Sequence, residues 1–293
     1  MKSKLSCTLS LVKAELVNKG EFTSLKVKIL GSAGSYQSPT RQCSSYLVQA
    51  DGMSILLDAG NGSFGNLLKV SDPFEVSAVF ISHRHHDHMV DIISLYHYLK
   101  FVPDGTGLRG KIPLLASKVT HEFLSSFAAG SIFDIFERKV VEAGSSYDLG
   151  SVKIAFANVG HIDGALSIRL TDSSSNCLFY SGDSAYCREL VDSIPIGSTI
   201  LTESTYLEHK VSGGRAIHMD ALEVAQLCSK SQASSVIVTH VAHPNDPELV
   251  GELVRRNFAG AVEVAHDLDT FQIEANRLLR LTSHGEEGIQ SDK

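Results

Sequence analysis

The stretch that most constrains this chain is residues 81–88, Ile-Ser-His-Arg-His-His-Asp-His, which follows a short apolar run of buried-strand type. Within six residues it carries four side chains that can bind metals: His83, His85, Asp87 and His88. In an extended segment the first three share a face, and a helix beginning at Asp87 would bring His88 to the same cavity. Because imidazole and carboxylate are the ligands of zinc and its neighbours, the two interleaved clusters predict two metal ions rather than a solvated loop.

Strand and helix patterns occur in both halves of the 293-residue chain. The first half carries a hairpin signal at Asp51-Gly52 and then strands that alternate with helices, and the second half repeats this architecture. Two halves that are each a sheet covered by helices predict an α/β fold, a four-layer αββα sandwich. We expect a single domain over 25–282, with an N-terminal extension (1–24) of unknown role and a polar tail (283–293).

Charge and cysteine content exclude several classes of protein. The net charge is −7 and there is no long basic run, so the sequence shows no basic patch of the kind that binds nucleic acid. Bound metals could still make a site locally positive. The five cysteines are scattered and odd in number, which indicates reduced thiols in a cytosolic protein. No apolar stretch has the length of a membrane span. We therefore expect a cytoplasmic protein without a membrane partner.

Three later segments each end in one residue of the metal-ligand type. His161 follows Gly160 in a loop between two strand patterns. Asp183 follows the apolar run 177–180, and His240 follows the apolar run 236–238. Ligands gather at the carboxyl ends of strands in open α/β sheets, so we expect these three side chains to complete the site.

The segment 83–88, His-x-His-x-Asp-His, resembles the signature of the metallo-β-lactamase superfamily in its di-zinc hydrolase form. The resemblance implies two zinc ions, with Mn²⁺ or Fe²⁺ as alternatives, and a water between them acidified to a hydroxide nucleophile. The first zinc would be held by His83, His85 and His161. The second would be held by Asp87, His88 and His240, with Asp183 as the bridging carboxylate.

Three other segments resemble particular members of this superfamily. Asp58 matches the family's first motif, where it supports the metal loop by hydrogen bonds, although it could be a plain strand-end cap. Residues 202–206 and 217–220 resemble a glutamate segment and a helix-opening histidine of ribonuclease Z-like members. There the pair is thought to protonate the leaving alkoxide, so Glu203 and His218 would be catalytic together with Asp87. A simple helix-start role for His218 remains the alternative.

The superfamily hosts many reactions, so the fold alone does not identify the substrate. The motif together with Glu203 and His218 favours phosphodiesterases. Only 22 positions separate His161 from Asp183, where typical ribonuclease Z inserts an arm that grips tRNA. Nucleic acid is therefore a less favoured partner than a small molecule. Residues 31–36, 57–62 and 245–247 resemble compact bacterial hydrolases of cyclic nucleotides, and the resemblance suggests a homodimer.

We therefore expect a metal-dependent hydrolase that cleaves a small phosphodiester, such as a 3′,5′-cyclic nucleotide. The alternatives are an RNA 3′-end processing endonuclease related to ribonuclease Z, a lactonase or thioesterase, and an inactive metal-binding regulatory protein. Acyl substrates have less need of the Glu203–His218 acid, and a complete ligand set argues against lost activity. His86 occupies the variable position of the motif and should point away from the metals. His243 and His266 are left open as pocket-lining residues.

Overall fold

A computed structural model of the protein describes residues 24–103, 110–128, 130–208, 217–275 and 277–281. The predictions for the N-terminal extension, apart from Ser24, and for the polar tail lie outside the described residues. Within the described part of the chain, no helix is long and apolar enough to cross a membrane.

The described residues form seventeen strands and seven α-helices. The strands are β1 (Leu25–Gly31), β2 (Ala33–Gly34), β3 (Ser45–Ala50), β4 (Met53–Leu57), β5 (Ala78–Phe80), β6 (Ile112–Ala116), β7 (Phe136–Val140), β8 (Ser146–Leu149), β9 (Val152–Asn158), β10 (Leu166–Thr171), β11 (Cys177–Tyr180), β12 (Thr199–Glu203), β13 (Ser235–Thr239), β14 (Val241–Ala242), β15 (Ala261–Val264), β16 (Thr270–Glu274) and β17 (Arg277–Leu281). The helices are α1 (Ser63–Val70), α2 (His86–Met89), α3 (Ile92–Phe101), α4 (Lys118–Phe127), α5 (Arg188–Ser193), α6 (Ala221–Ser231) and α7 (Pro247–Asn257).

Two large sheets pack face to face. One has the strand order β17-β16-β1-β3-β4-β5-β6-β7, and the other has the order β15-β13-β12-β11-β10-β9-β8. Fully buried side chains from both sheets, among them Val27, Ile55 and Ile168, share one core between them. Separate apolar cores lie under α1, α3 and α4 on the outside of the first sheet, and under α5, α6 and α7 on the outside of the second. The predicted four-layer αββα sandwich is confirmed.

The two sheets bring their parallel strands toward a common functional region. Strands β4, β5 and β6 are parallel in the first sheet, and β11, β12 and β13 are parallel in the second. The histidine-rich motif follows β5, Asp183 follows β11 and His240 follows β13, while Glu203 is the last residue of β12. The strand ends therefore deliver these side chains from both halves of the sandwich, as expected for ligands at carboxyl edges.

The sequence patterns missed several strands at or near the sheet edges. Strand β7 has one buried residue in five, and β17 has two arginines among three leucines, none of them buried. Charged, exposed edges guard a sheet against further pairing, and they also remove the apolar alternation on which strand prediction depends. The helix expected to begin at Asp87 begins at His86 and is the separate short helix α2, which carries Asp87 and His88, and α3 follows from Ile92.

The segment after β4 crosses close to the histidine-rich motif of residues 83–88. Asp58 donates its backbone N–H to the carbonyl of Phe80 at 2.8 Å, and Ala59 donates to the carbonyl of His88 at 2.7 Å. At Gly60 a Cβ would lie 2.1 Å from the carbonyl oxygen of Asp87, well inside van der Waals contact. Only glycine fits at this crossing without displacing the motif.

We predict that Gly60→Ala weakens metal binding by about 10–100-fold, because the added methyl pushes the Asp87 backbone out of position. Gly65→Ala is the matched control, since a Cβ at that position in α1 meets nothing within 4 Å. The control should retain metal and gain about 0.5–1 kcal/mol of stability from its better helix propensity. Metal content and thermal unfolding of both variants test this. If Gly60→Ala binds metal with wild-type affinity, the close approach of Gly60 to the Asp87 backbone does not position the ligands.

Candidate metal centre

The structure brings together all seven side chains expected as metal ligands. They form two groups in which the ligand atoms lie within 4.8 Å of one another. The first group comprises His83, His85, His161 and Asp183, and the second comprises Asp87, His88, Asp183 and His240. Asp183 is common to both groups, which is the arrangement that a bridging carboxylate requires.

In the first group the ring nitrogens converge on a small space. His161 Nε2 lies 3.0 Å from His85 Nδ1. Asp183 Oδ2 lies 3.7 Å from His83 Nε2 and 3.9 Å from His161 Nε2. Burial lowers the pKa of His83 and of His161, and it lowers the pKa of His85 to about 4. These imidazoles are therefore neutral near pH 7, the form that binds a metal.

The second group closes around the other oxygen of the same carboxylate. Asp183 Oδ1 lies 3.2 Å from His88 Nε2 and 3.4 Å from His240 Nε2. His240 Nε2 also lies 3.2 Å from His88 Nε2 and 3.3 Å from Asp87 Oδ2. Burial alone would raise the pKa of both carboxyl groups, but the two facing histidines bring both pKa values below the ordinary range. Both acids are therefore ionised, as metal ligands must be.

The polar atoms of these groups fit a cation. His83 Nε2 and Asp183 Oδ1 are buried and have no hydrogen-bond partner among the described residues, a state that ordinarily costs about 1–3 kcal/mol per group. The facing ring nitrogens, at 3.0 and 3.2 Å, need a proton or a metal ion between their lone pairs. An all nitrogen and oxygen donor set suits zinc and its neighbours in the series.

The Asp58 carboxylate orients His88 of the second group. Its Oδ2 accepts hydrogen bonds from His88 Nδ1 at 2.7 Å, from the Tyr180 hydroxyl at 2.6 Å and from Ser82 Oγ at 2.8 Å. Its Oδ1 accepts the backbone N–H of Ser82 at 2.7 Å. Burial lowers the pKa of His88, but the facing carboxylates outweigh burial and raise it, so a metal ion at Nε2 would displace a proton there while Asp58 holds the proton on Nδ1. Asp58 thus occupies the supporting position that the resemblance implied, and nothing in the local sequence identified Tyr180 as its partner.

Glu203 and His218 form a hydrogen-bonded pair beside the two groups. His218 Nδ1 lies 3.0 Å from Glu203 Oε1 and 3.8 Å from Asp183 Oδ2. The His218 ring centre is 5.0 Å from that of His161 and 5.7 Å from that of His240. Burial lowers the pKa of His218, but the adjacent Glu203 carboxylate outweighs burial and raises the pKa to about 9. The pair can therefore hold a proton at the edge of the metal centre.

Glu203 also belongs to a third group of possible ligand atoms, with His218 and His240, but its carboxylate is occupied by hydrogen-bond donors. Its carboxylate accepts the backbone N–H of Ser184 at 2.7 Å, of Thr205 at 3.3 Å and of Met219 at 3.4 Å, besides the Thr205 hydroxyl and His218. Sequence reasoning missed Thr205. A threonine two residues beyond a strand-end glutamate carries no signal of its own, because its contacts depend on where other strands end.

The other histidines that the sequence analysis singled out, His86, His243 and His266, lie outside both groups. His86 is exposed and packs its ring edge against Phe123 and Phe127, which agrees with the expectation that it points away. His243 has an exposed side chain, and its backbone carbonyl accepts a hydrogen bond from Tyr36. His266 Nε2 pairs with Glu248 Oε1 at 2.8 Å. None of the three completes a ligand group among the described residues.

Comparison with known proteins agrees with this geometry. The family model for the beta-lactamase superfamily domain matches residues 53–241. An uncharacterized protein of Mycobacterium leprae is 28% identical over 268 residues, which cover 88% of this chain and 92% of that protein. The ribonuclease Z of Myxococcus xanthus is 22% identical over 302 residues, which cover 85% of this chain and 98% of that protein.

The Bacillus subtilis protein YhfI, named a probable metallo-hydrolase, is 24% identical over 247 residues, which cover 82% of this chain and 97% of that protein. Its crystal structure, described as a metallo-beta-lactamase fold protein, superposes with a TM-score of 0.75 over 85% of this chain and 99% of that one, at 22% identity. The family match spans well over half of the chain and contains both ligand groups. This chain belongs to the metallo-β-lactamase superfamily and is a metal-dependent hydrolase of that family.

Proposed function

We propose that this protein is a phosphodiesterase with two metal ions, most simply Zn²⁺, and that it cleaves a small phosphodiester such as a 3′,5′-cyclic nucleotide. The observation that carries the proposal is the buried Glu203–His218 pair. His218 Nδ1 of this pair lies 3.8 Å from Oδ2 of Asp183, the carboxylate shared by the two ligand groups. A proton donor at this position suits a reaction whose leaving group is an alkoxide.

Two metal ions in these groups would lower the pKa of a bound water to near 7 and neutralise the oxygens of a phosphoryl group. The side chains contribute position and charge. Asp183 aligns the two groups because each of its oxygens faces one of them. The Asp58 carboxylate fixes the orientation of His88. The centre is buried at His83, His88 and Asp183, which strengthens electrostatic interactions with a substrate phosphate.

The departing ribose oxygen needs a proton as its bond to phosphorus breaks. His218 can donate this proton, and Glu203 stabilises the charged imidazolium beforehand through the 3.0 Å hydrogen bond to Nδ1. Cleavage of the 3′ ester of a 3′,5′-cyclic nucleotide would then yield the 5′-monophosphate. General acid catalysis of this kind contributes typically about 10²–10⁴-fold in rate.

RNA is the second candidate substrate, because one of the relatives above is a ribonuclease Z. The interval between His161 and Asp183 favours the small substrate instead. It consists of the antiparallel pair β10 and β11 and short connections, without an inserted arm. The net charge of −7 also disfavours a long polyanion.

The direct test is hydrolysis of 3′,5′-cyclic AMP by the metal-loaded protein, with products separated by chromatography. We expect 5′-AMP from the wild type and none from Asp87→Ala, which loses a ligand of the second group. A pre-tRNA with a 3′ trailer and an acyl lactone are assayed beside it. Turnover of either of these without turnover of any cyclic nucleotide would overturn the proposal.

Asp183→Ala and Asp87→Ala should differ in metal content. Because Asp183 belongs to both ligand groups and Asp87 to one, we expect Asp183→Ala to weaken binding of both ions and Asp87→Ala to weaken only one. Metal analysis after dialysis against a weak chelator measures the number of ions retained per chain. Equal loss in the two variants would contradict the bridging role of Asp183.

His218→Ala should retain both metal ions but lose about 10²–10⁴-fold in kcat on cyclic AMP, because the leaving alkoxide is no longer protonated. The loss should be much smaller on bis(p-nitrophenyl) phosphate, whose leaving group departs readily as an anion. His97→Ala removes an exposed histidine on α3 and serves as the control, with wild-type rates on both substrates. Equal losses of kcat on the two substrates in His218→Ala would contradict the role of His218 as an acid.

A further inference from the structure

We propose that the hydroxyl of Thr205 is a positioning group that couples the Glu203–His218 pair to the metal ligand His240. The inference rests on the proposed second metal site, and it adds a residue and a role that the site assignment does not contain. Thr205 is 1% exposed and follows the strand end that delivers Glu203. Its hydroxyl is the meeting point of three polar side chains.

The contacts of this hydroxyl are specific and its backbone is fixed. Thr205 Oγ1 contacts Glu203 Oε2, lies 2.9 Å from His240 Nδ1 and lies 3.2 Å from His218 Nδ1. The Thr205 carbonyl accepts the backbone N–H of Ala242 at 3.2 Å, which ties it to the segment just after His240. The backbone of Thr205 is therefore held beside the strand end that carries His240.

Counting protons assigns the direction of each hydrogen bond. A hydroxyl has one proton to donate, and an ionised carboxylate only accepts, so the Thr205 proton goes to Glu203. The contact with His240 Nδ1 must then run the other way, with Nδ1–H donating to the Thr205 oxygen. This leaves the Nε2 lone pair of His240 directed at the second group, where Nε2 lies 3.3 Å from Asp87 Oδ2 and 3.4 Å from Asp183 Oδ1.

The two histidines of the second group are thus oriented by different means. His88 donates its Nδ1 proton directly to the buried carboxylate of Asp58. His240 donates to a neutral hydroxyl, which is polarised in turn by the carboxylate of Glu203. Glu203 therefore acts on two histidines at once, on His218 by direct contact and on His240 through Thr205.

The proposal is tested by the affinity of each metal ion in Thr205→Val and Thr205→Ser. Valine keeps the shape and removes the hydroxyl, so binding of the second ion should weaken by about 10–100-fold while the first ion is retained. Serine keeps the hydroxyl and should restore wild-type affinity. Thr199→Val is the matched control, because it removes a buried hydroxyl at the start of β12, the strand that ends at Glu203, and the partner of that hydroxyl, at 2.8 Å, is Ser235 Oγ. Stepwise titration of Co²⁺ into metal-free protein against a chelator resolves the two ions.

Nuclear magnetic resonance of the zinc-loaded protein tests the proton directly. With histidines labelled in ¹⁵N, the wild type and Thr205→Ser should show a slowly exchanging Nδ1 proton on His240, which shifts or disappears in Thr205→Val. Wild-type affinity for both ions in Thr205→Val, weak binding in a folded Thr205→Ser, or no Nδ1 proton in the wild type would each overturn the proposal. If the valine variant does not fold, the serine variant and the wild-type spectrum still decide it.

Neither measurement uses a substrate. A protein that fails to hydrolyse cyclic AMP can still show the Thr205 effect on the second ion, and an active phosphodiesterase can lack it. The failure of the proposed reaction and the failure of the Thr205 coupling are therefore distinguishable. A fully active Thr205→Val variant with an unchanged second-ion affinity would leave the phosphodiesterase standing and remove Thr205 from the site.

Discussion

The buried carboxylate of Asp183 is the interaction on which the rest of this site depends. It lies between two groups of histidines, and each of its oxygens faces one group. Burial raises the pKa of this carboxyl group, which is 2% exposed, but the facing His240 and His88 outweigh burial and hold the pKa well below its ordinary range. The negative charge of Asp183 suits a cation in each of the two groups. The six other ligands come from the loop and short helix after β5, the loop before β10 and the end of β13, and they converge on this one residue.

Two further buried carboxylates, Asp58 and Glu203, position histidines but belong to neither of the two groups that share Asp183. Asp58 accepts four hydrogen bonds, and Glu203 accepts hydrogen bonds from the backbone of three separate chain segments. Because these hydrogen bonds link several buried side chains, the orientation of each side chain depends on its neighbours. The consequence is that the acid pair and the metal ligands are one hydrogen-bonded system, with Thr205 as the link between them.

The fold serves this site by bringing strand ends together. The first sheet supplies the motif after β5, and the second supplies Asp183, Glu203 and His240 after or at the ends of β11, β12 and β13. The shared core between the sheets keeps these edges in a fixed relation. Gly60 marks how closely the segments cross, because even a methyl group there would meet the Asp87 backbone. A rigid scaffold of this kind permits ligand atoms from distant segments to lie within a few ångströms of one another.

The sequence by itself determined the α/β class, the layer order and the seven ligand-type residues. Apolar strand patterns and short ligand spacings are local, and the superfamily resemblance linked the segments. Only the tertiary structure decided that Tyr180 and Ser82 hold Asp58, and that Thr205 lies between Glu203 and His240. It also located edge strands such as β7, whose charged residues hide the alternation. Those features depend on contacts between segments far apart in the chain, and no local pattern encodes the partner of a buried hydroxyl.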